Sequence, residues 1–197
     1  MHQRIILASG SEVRRRLLAA AGIAFTQQPA EIDEQGVADG HRGKTPRQLA
    51  GILAEAKAHA VSAVHAESFV IGADQTLELG GKLLFKPADK AEARRQLGAL
   101  AGEVHRLHAS FAVVSAGKTR ARATRTVKLA MRPLSAGDID WYLDAAGDAA
   151  LSSVGGYQLE GLGIRLFDRI EGDYFTVLGL PMLPLLKALR KVGALER

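Results

Sequence analysis

Short apolar runs alternate with helical repeats along this chain. Ile5–Ala8 has the length and composition of a buried strand, and Ser9-Gly10-Ser11 follows as a small-residue turn. Leu17, Leu18 and Ala21 then recur at helical spacing behind Ser11, a suitable N-cap. Residues 23–28 predict a second short strand, which Pro29 ends. Glu31-Ile32-Asp33-Glu34 and the polar, glycine-containing stretch 35–45 predict loop. Thr45-Pro46-Arg47-Gln48 is a helix start: Thr45 caps, Pro46 takes the first helical position, and Gln48 stands where a capping box needs it. That helix should run to about Val64, with Leu49, Ile52, Leu53, Ala56 and Ala60 facing inward.

Residues 68–73 predict a third apolar strand, with Asp74 and Gln75 at or beyond its end. Leu77 to Leu84 reads as a hairpin about Gly80-Gly81, closed by Lys86-Pro87-Ala88-Asp89, which opens a helix over 89–100. Residues 103–117 and 119–131 alternate as two long strands joined near Gly117. A helix starts at Ser135 and carries Trp141 and Tyr142 as packing residues. Residues 147–163 are rich in Gly and Ser and predict irregular structure. A strand over 164–170 and an amphipathic helix over 182–192, behind Gly179-Leu180-Pro181, complete the chain. With no internal repeat and no linker, this order implies an α/β (mixed α+β) fold in one domain, residues 1–197.

Composition narrows the class. The 197 residues are 47% hydrophobic and 24% charged, as in an ordinary globular protein with a real core. There are no cysteines, which excludes disulfides and thiolate metal sites. No run approaches the length of a membrane span, and Met1 leads directly into a strand without a signal-peptide pattern. A cytoplasmic, enzyme-like protein is the expectation. The net charge of +5 suits an anionic ligand. Aromatics are only 5%, and no basic-aromatic run suggests a nucleic-acid platform.

The polar residues supply candidate chemistry. Arg14, Arg15 and Arg16 lie in the first turns of the first helix, the wrong end for cations unless an anion docks there. Backbone N–H groups, the Ser9 and Ser11 hydroxyls and a guanidinium would together suit a phosphate chain. Asp74 follows an apolar strand, at the edge where sheets host ligands, and Gly72-Ala73 allow close approach. Its carboxylate could hold a divalent cation or take a proton from water, and Glu34 could serve the same metal. Lys57 and Lys86 could neutralise phosphate oxygens. Taken singly, each lysine and Glu34 also reads as a solvated surface charge, and Asp74 as a turn residue. His105 and His108, three apart on a strand, face opposite sides and cannot share a metal.

Eight segments in order resemble the Maf family of nucleoside triphosphate pyrophosphatases: Leu-Ala-Ser-Gly-Ser-x-x-Arg, Ile-Asp-Glu, Pro-Arg-Gln-Leu-Ala through Ala-x-x-Lys-Ala, Gly-Ala-Asp-Gln, Lys-Pro, Gly-x-Val-His, Gly-Tyr-Gln-Leu-Glu-Gly, and Gly-Leu-Pro. The resemblance spans nearly the whole chain. It implies a two-lobed fold related to inosine triphosphate pyrophosphatase, with a central mixed sheet flanked by helices, an interlobe cleft and a homodimer. It places Ser9 and Arg14 at phosphate-binding positions, beside the Ser11 hydroxyl already singled out. Glu34, Lys57, Asp74 and Lys86 fall in the catalytic cluster, Asp74 as proton acceptor. The implied reaction splits a nucleoside triphosphate between its α- and β-phosphates, with Mg²⁺ or Mn²⁺ held by Glu34 and Asp74.

Three positions bear on the base. Gln75 and Glu160 resemble the branch acting on 7-methyl-GTP rather than the branch preferring dTTP and UTP. A glutamate can accept two hydrogen bonds from the N1–H and N2–H₂ edge of guanine. Val13 departs from that branch, because it cannot stack on a methylated, cationic base. A nucleotide-binding regulator of septum formation, acting without turnover, is the alternative from another class. It expects binding that survives Asp74→Asn.

Overall fold

The computed structural model describes residues 4–196; Met1, on which the expectation of a leaderless start rests, lies outside the described residues. One mixed sheet of seven strands runs through the molecule in the order β2-β1-β3-β5-β6-β7, with β4 paired to β3. Its strands are β1 (Ile5–Ala8), β2 (Phe25–Gln27), β3 (Phe69–Leu79), β4 (Lys82–Leu84), β5 (Val104–Ser115), β6 (Lys118–Met131) and β7 (Phe167–Glu171). β1 pairs in parallel with both β2 and β3, and the other pairings are antiparallel. The helices are α1 (Glu12–Ala20), α2 (Glu34–Asp39), α3 (Pro46–Ser62), α4 (Lys90–Leu100), α5 (Ala136–Ala146), α6 (Tyr174–Val177) and α7 (Met182–Lys191). None of the described helices is long and apolar enough to cross a membrane.

Alternation along β3 and β5 divides the core. Ile71, Ala73, Phe111 and Val113 point to one face and pack with Ile5, Leu7, Leu18, Leu185 and Leu189. Val70, Ala112 and Val114 point to the other, onto Ala58 and Val61 of α3. Farther along the same long strands, Leu77, Leu107, Val127 and Leu129 join Leu97, Leu100, Tyr142 and Leu166 in a third cluster. Helices therefore flank a central mixed sheet, as expected, and gather toward the two ends of its shared strands.

Several elements differ from the sequence reading. Residues 34–39 form α2, because Asp33 caps it by accepting from the Gly36 N–H at 2.9 Å. The strand over 164–170 begins only at Phe167, after a tight 3-10 turn over 162–166. Short α6 was not foreseen; Asp173 caps it by accepting from the Thr176 N–H at 2.9 Å. Helix α3 is turned relative to its predicted face: Ala50, Ala54, Lys57 and Ala58 are buried, whereas Ile52 and Ala56 are half-buried and Ala60 is exposed. Trp141 does not pack inward; it is exposed, with the Arg165 guanidinium 4.3 Å above its ring.

Gly72 explains the turn of α3. A Cβ there would lie 2.1 Å from the Ala54 carbonyl oxygen and 2.6 Å from the Ala58 nitrogen. The close approach that Gly72 permits is thus that of a helix, not of a ligand. Small residues at 54 and 58 let α3 lie directly on β3, and this carries Lys57 over the strand at Asp74.

Candidate active site

Asp74 lies within β3, not at its end, with Ser110 of β5 as its partner in register. The gap belongs to the neighbouring strand. β1 stops at Ala8 opposite Gly72, and β4 begins pairing only at Leu77. Residues 73–76 therefore face an opening on that flank, where the carboxyl end of the parallel strand β1 meets a crevice. A cleft of about 900 Å³ occupies it. Ser9, Ser11, Val13, Arg14, Glu34, Lys57, Asp74, Gln75, Lys86 and Glu160 all line it, although they lie on six separate stretches of chain.

At its floor the Lys57 ammonium donates to Asp74 Oδ1 at 2.7 Å and lies 2.9 Å from Glu34 Oε1. Lys57 and Asp74 are nearly buried, and Glu34 is more than half exposed at the start of α2. Burial pushes the Asp74 carboxyl above the usual carboxylate range. The nearby Lys57 and Arg14 charges pull it back, while Glu34 adds to the rise. A carboxylate whose pKa is raised in this way is a better proton acceptor than an ordinary one.

The turn after β1 is built around Arg14. Ser9 Oγ accepts from the Ser11 N–H at 3.3 Å and from Arg14 Nη1 at 3.1 Å. Ser11 Oγ accepts from the Arg14 N–H at 3.4 Å, capping α1. The guanidinium also donates to the carbonyls of Ala73 at 3.1 Å and Gly179 at 2.9 Å, so it ties the β1 turn to β3 and to the segment after α6. Burial lowers the Arg14 pKa, and Asp74 and Glu34 work against that shift. Of the three arginines in this helix, Arg14 is the one that lines the cleft; Arg15 pairs outside with Glu12. The first residues of α1, Glu12 to Arg14, line the cleft, so the helix N-terminus, a favourable end for an anion, lies at its wall.

Gln75 points to the opposite face from Asp74. Its side-chain amide donates to the carbonyls of Thr176 at 3.1 Å and Val177 at 3.0 Å. This docking onto α6 and the tie of Arg14 to Gly179 escaped the sequence reading. The signal was the Asp173-x-x-Thr176 cap, which marks a helix start. Gly179 adopts φ +87°, and a Cβ there would press within 3.3 Å of the Arg14 guanidinium. Lys86 lines the cleft without an ion pair among the described residues. Glu160 is exposed at its rim. His105 and His108 take no part: His105 is buried against the Tyr157 hydroxyl at 2.6 Å, and His108 lies 2.8 Å from Thr126 and 3.0 Å from Glu78.

Glu34 and Asp74 are the carboxylates at the site that could serve a metal. The described residues hold no cluster of three His, Asp or Glu that could bind a metal by itself. Both carboxylates reach the Lys57 ammonium, and carboxylate oxygens are donors of the kind that Mg²⁺ or Mn²⁺ takes together with phosphate oxygens and water.

Fold and site together define an α/β protein with an acid-base cluster at the floor of a cleft walled by cationic and hydroxyl groups. The chain belongs to the Maf family: residues 4–192 match the family described as Maf-like protein. It is 52% identical over 186 residues to a nucleoside triphosphate pyrophosphatase of Bradyrhizobium diazoefficiens, covering 94% of this chain and 92% of that one. A protein of the same description from Nitrobacter winogradskyi is 54% identical over 186 residues, with the same coverage. A 7-methyl-GTP pyrophosphatase of Rhizobium johnstonii is 48% identical over 198 residues, covering 100% of both chains.

Proposed function

We propose that this protein is a house-cleaning nucleoside triphosphate pyrophosphatase, a hydrolase that converts a nucleoside triphosphate and water to the monophosphate and pyrophosphate. The observation that carries the reading is Lys57 held between Asp74 and Glu34 at the floor of a cleft that also gathers Ser9, Ser11, Arg14 and Lys86. Asp74 takes a proton from water, whose oxygen attacks the α-phosphorus. The bridging oxygen leaves on pyrophosphate, and Lys86 and the N-terminus of α1 meet its charge. Lys57 favours the ionised form of Asp74. Glu34 and Asp74 would hold Mg²⁺ or Mn²⁺, which supplies charge neutralisation to the triphosphate when bound.

Glu160 at the rim supports a guanine-type base, 7-methyl-GTP included, over a pyrimidine of the dTTP or UTP kind. Gln75 acts on specificity through α6, since its amide is committed to the carbonyls there. The reading includes a single two-lobed domain acting in the cytoplasm on free nucleotides, without nucleic acid, and as a homodimer, which light scattering would check.

Pyrophosphate release across canonical and methylated nucleoside triphosphates, with either metal, tests the activity. Asp74→Asn should lower kcat roughly a hundred-fold or more. Nucleotide binding with no turnover in the wild type, unchanged in Asp74→Asn, would instead favour a binding regulator. Glu160→Gln should move preference from purine toward pyrimidine; an unchanged profile removes the edge-reading role. Removal of divalent metal by chelation should abolish release, and re-addition should restore it.

A further inference from the structure

Phe85 is 50% exposed at the wall of the cleft, directly before Lys86, and stands outside all three core clusters. A phenylalanine left half in water forgoes most of the stabilisation its burial could contribute. Its position gives it another use. The residues lining the cleft include two aromatics, Phe85 and Tyr157. Tyr157 is 4% exposed, its hydroxyl lies 2.6 Å from His105 Nε2, and its ring stands edge-on to Phe167 at 4.9 Å between centroids. That ring is enclosed by its own neighbours. Phe85 makes no ring–ring or cation–π contact among the described residues.

We propose that Phe85 is the stacking platform for the substrate's nucleobase, the accessible aromatic face in a cleft whose Val13 offers none. The inference rests on the nucleotide reading above and deepens it. Lys86 and Phe85 are consecutive, with Cα atoms about 3.8 Å apart. One loop thus presents a cation for phosphate oxygens and, beside it, a π-face for the ring attached to the same nucleotide. Stacking is tolerant of base identity, so Phe85 sets affinity, and Glu160 at the rim sets the preferred edge. An N7-methylated purine carries positive charge and gains a further attraction to the ring face.

The test compares wild type with Phe85→Trp, Phe85→Leu and Phe85→Ala on GTP, 7-methyl-GTP and UTP. Inorganic tripolyphosphate serves as an inhibitor without a base. Phe85→Ala should raise nucleotide KM about ten-fold, with a larger loss for 7-methyl-GTP. Phe85→Leu should lose nearly as much, Phe85→Trp should retain affinity, and the tripolyphosphate inhibition constant should stay within about two-fold. Unchanged nucleotide KM in Phe85→Ala overturns the proposal, as does full function in Phe85→Leu or a parallel rise in the tripolyphosphate constant. A wild type without turnover would remove the pyrophosphatase reading alone. Phe85→Trp in a Trp141→Phe background would still report stacking, through fluorescence quenched by nucleotide but not by tripolyphosphate. Equal quenching by both overturns it.

Discussion

Lys57 balances two carboxylates, and the balance has a sign. Burial raises the Asp74 pKa, and Lys57 is the largest influence holding it down. Lys57→Met should therefore move the acid limb of the kcat/KM profile to higher pH, because more hydroxide is then needed to ionise Asp74. An acid limb that does not move would mean that Asp74 is not the titrating base. The same change removes one partner of a buried pair and should destabilise the fold by about 3 kcal/mol, less where Asp74 becomes neutral. His105 gives a second prediction at this scale. Burial lowers its pKa from 6.5 to about 4. The unfolded chain then binds the proton first, so stability present at neutral pH is lost as pH falls from about 6.5 to about 4. The window is worth at most about 3 kcal/mol. Urea unfolding at pH 7 and pH 4.5 should show a smaller acid loss in His105→Gln than in wild type; equal losses would assign the effect to other groups.

At the scale of elements, caps and hairpins were legible and the partners of elements were not. Thr45 and Ser135 form capping boxes on α3 and α5 as local sequence implies, with Gln48 and Asp138 reaching back. Gly80-Gly81 and Ala116-Gly117 turn their hairpins at positive φ. These signals act over two to four residues. Leu49 and Leu53 of α3 are buried as the apolar pattern implies, but the rest of its inward face depends on a strand that lies ahead in sequence. An apolar count favours Ile52 and Ala56, but Gly72 draws the thin Ala50-Ala54-Ala58 edge onto β3. Gly72→Ala should therefore cost about 3 kcal/mol or more, since the added methyl meets helix backbone that cannot give way. A shift in the urea midpoint under about 0.5 kcal/mol equivalent would show that α3 can lift off.

Across the whole molecule, β3, β5 and β6 each contribute side chains to two of the core clusters, so the clusters share one sheet rather than joining at a linker. One cooperative unfolding transition is expected, with calorimetric and van't Hoff enthalpies equal for the monomer unit. Two resolved transitions would mean that the lobes fold independently. A nucleotide gripped from both lobes binds the native state alone. A slowly hydrolysed triphosphate analogue at a hundred times its Kd should then stabilise the protein by about 2.7 kcal/mol, read as a rise in Tm that falls away in Asp74→Asn with metal removed.

Local order was determined by the sequence itself: apolar runs too short to be helices, caps that start helices, and glycines that turn hairpins, all of which rest on interactions a few residues long. The ordered motifs also marked Ser9, Arg14, Glu34, Lys57, Asp74 and Lys86 as residues to watch. Only the tertiary structure decided that they meet, that Asp74 sits inside a strand beside the place where β1 ends, and that Arg14 fastens three segments while its two neighbours stay outside. The physical reason is range. Hydrogen bonds within helices and turns are set by neighbours in sequence, whereas strand pairing, burial, ion pairing and a cleft depend on residues up to 165 positions apart that no local pattern can bring together.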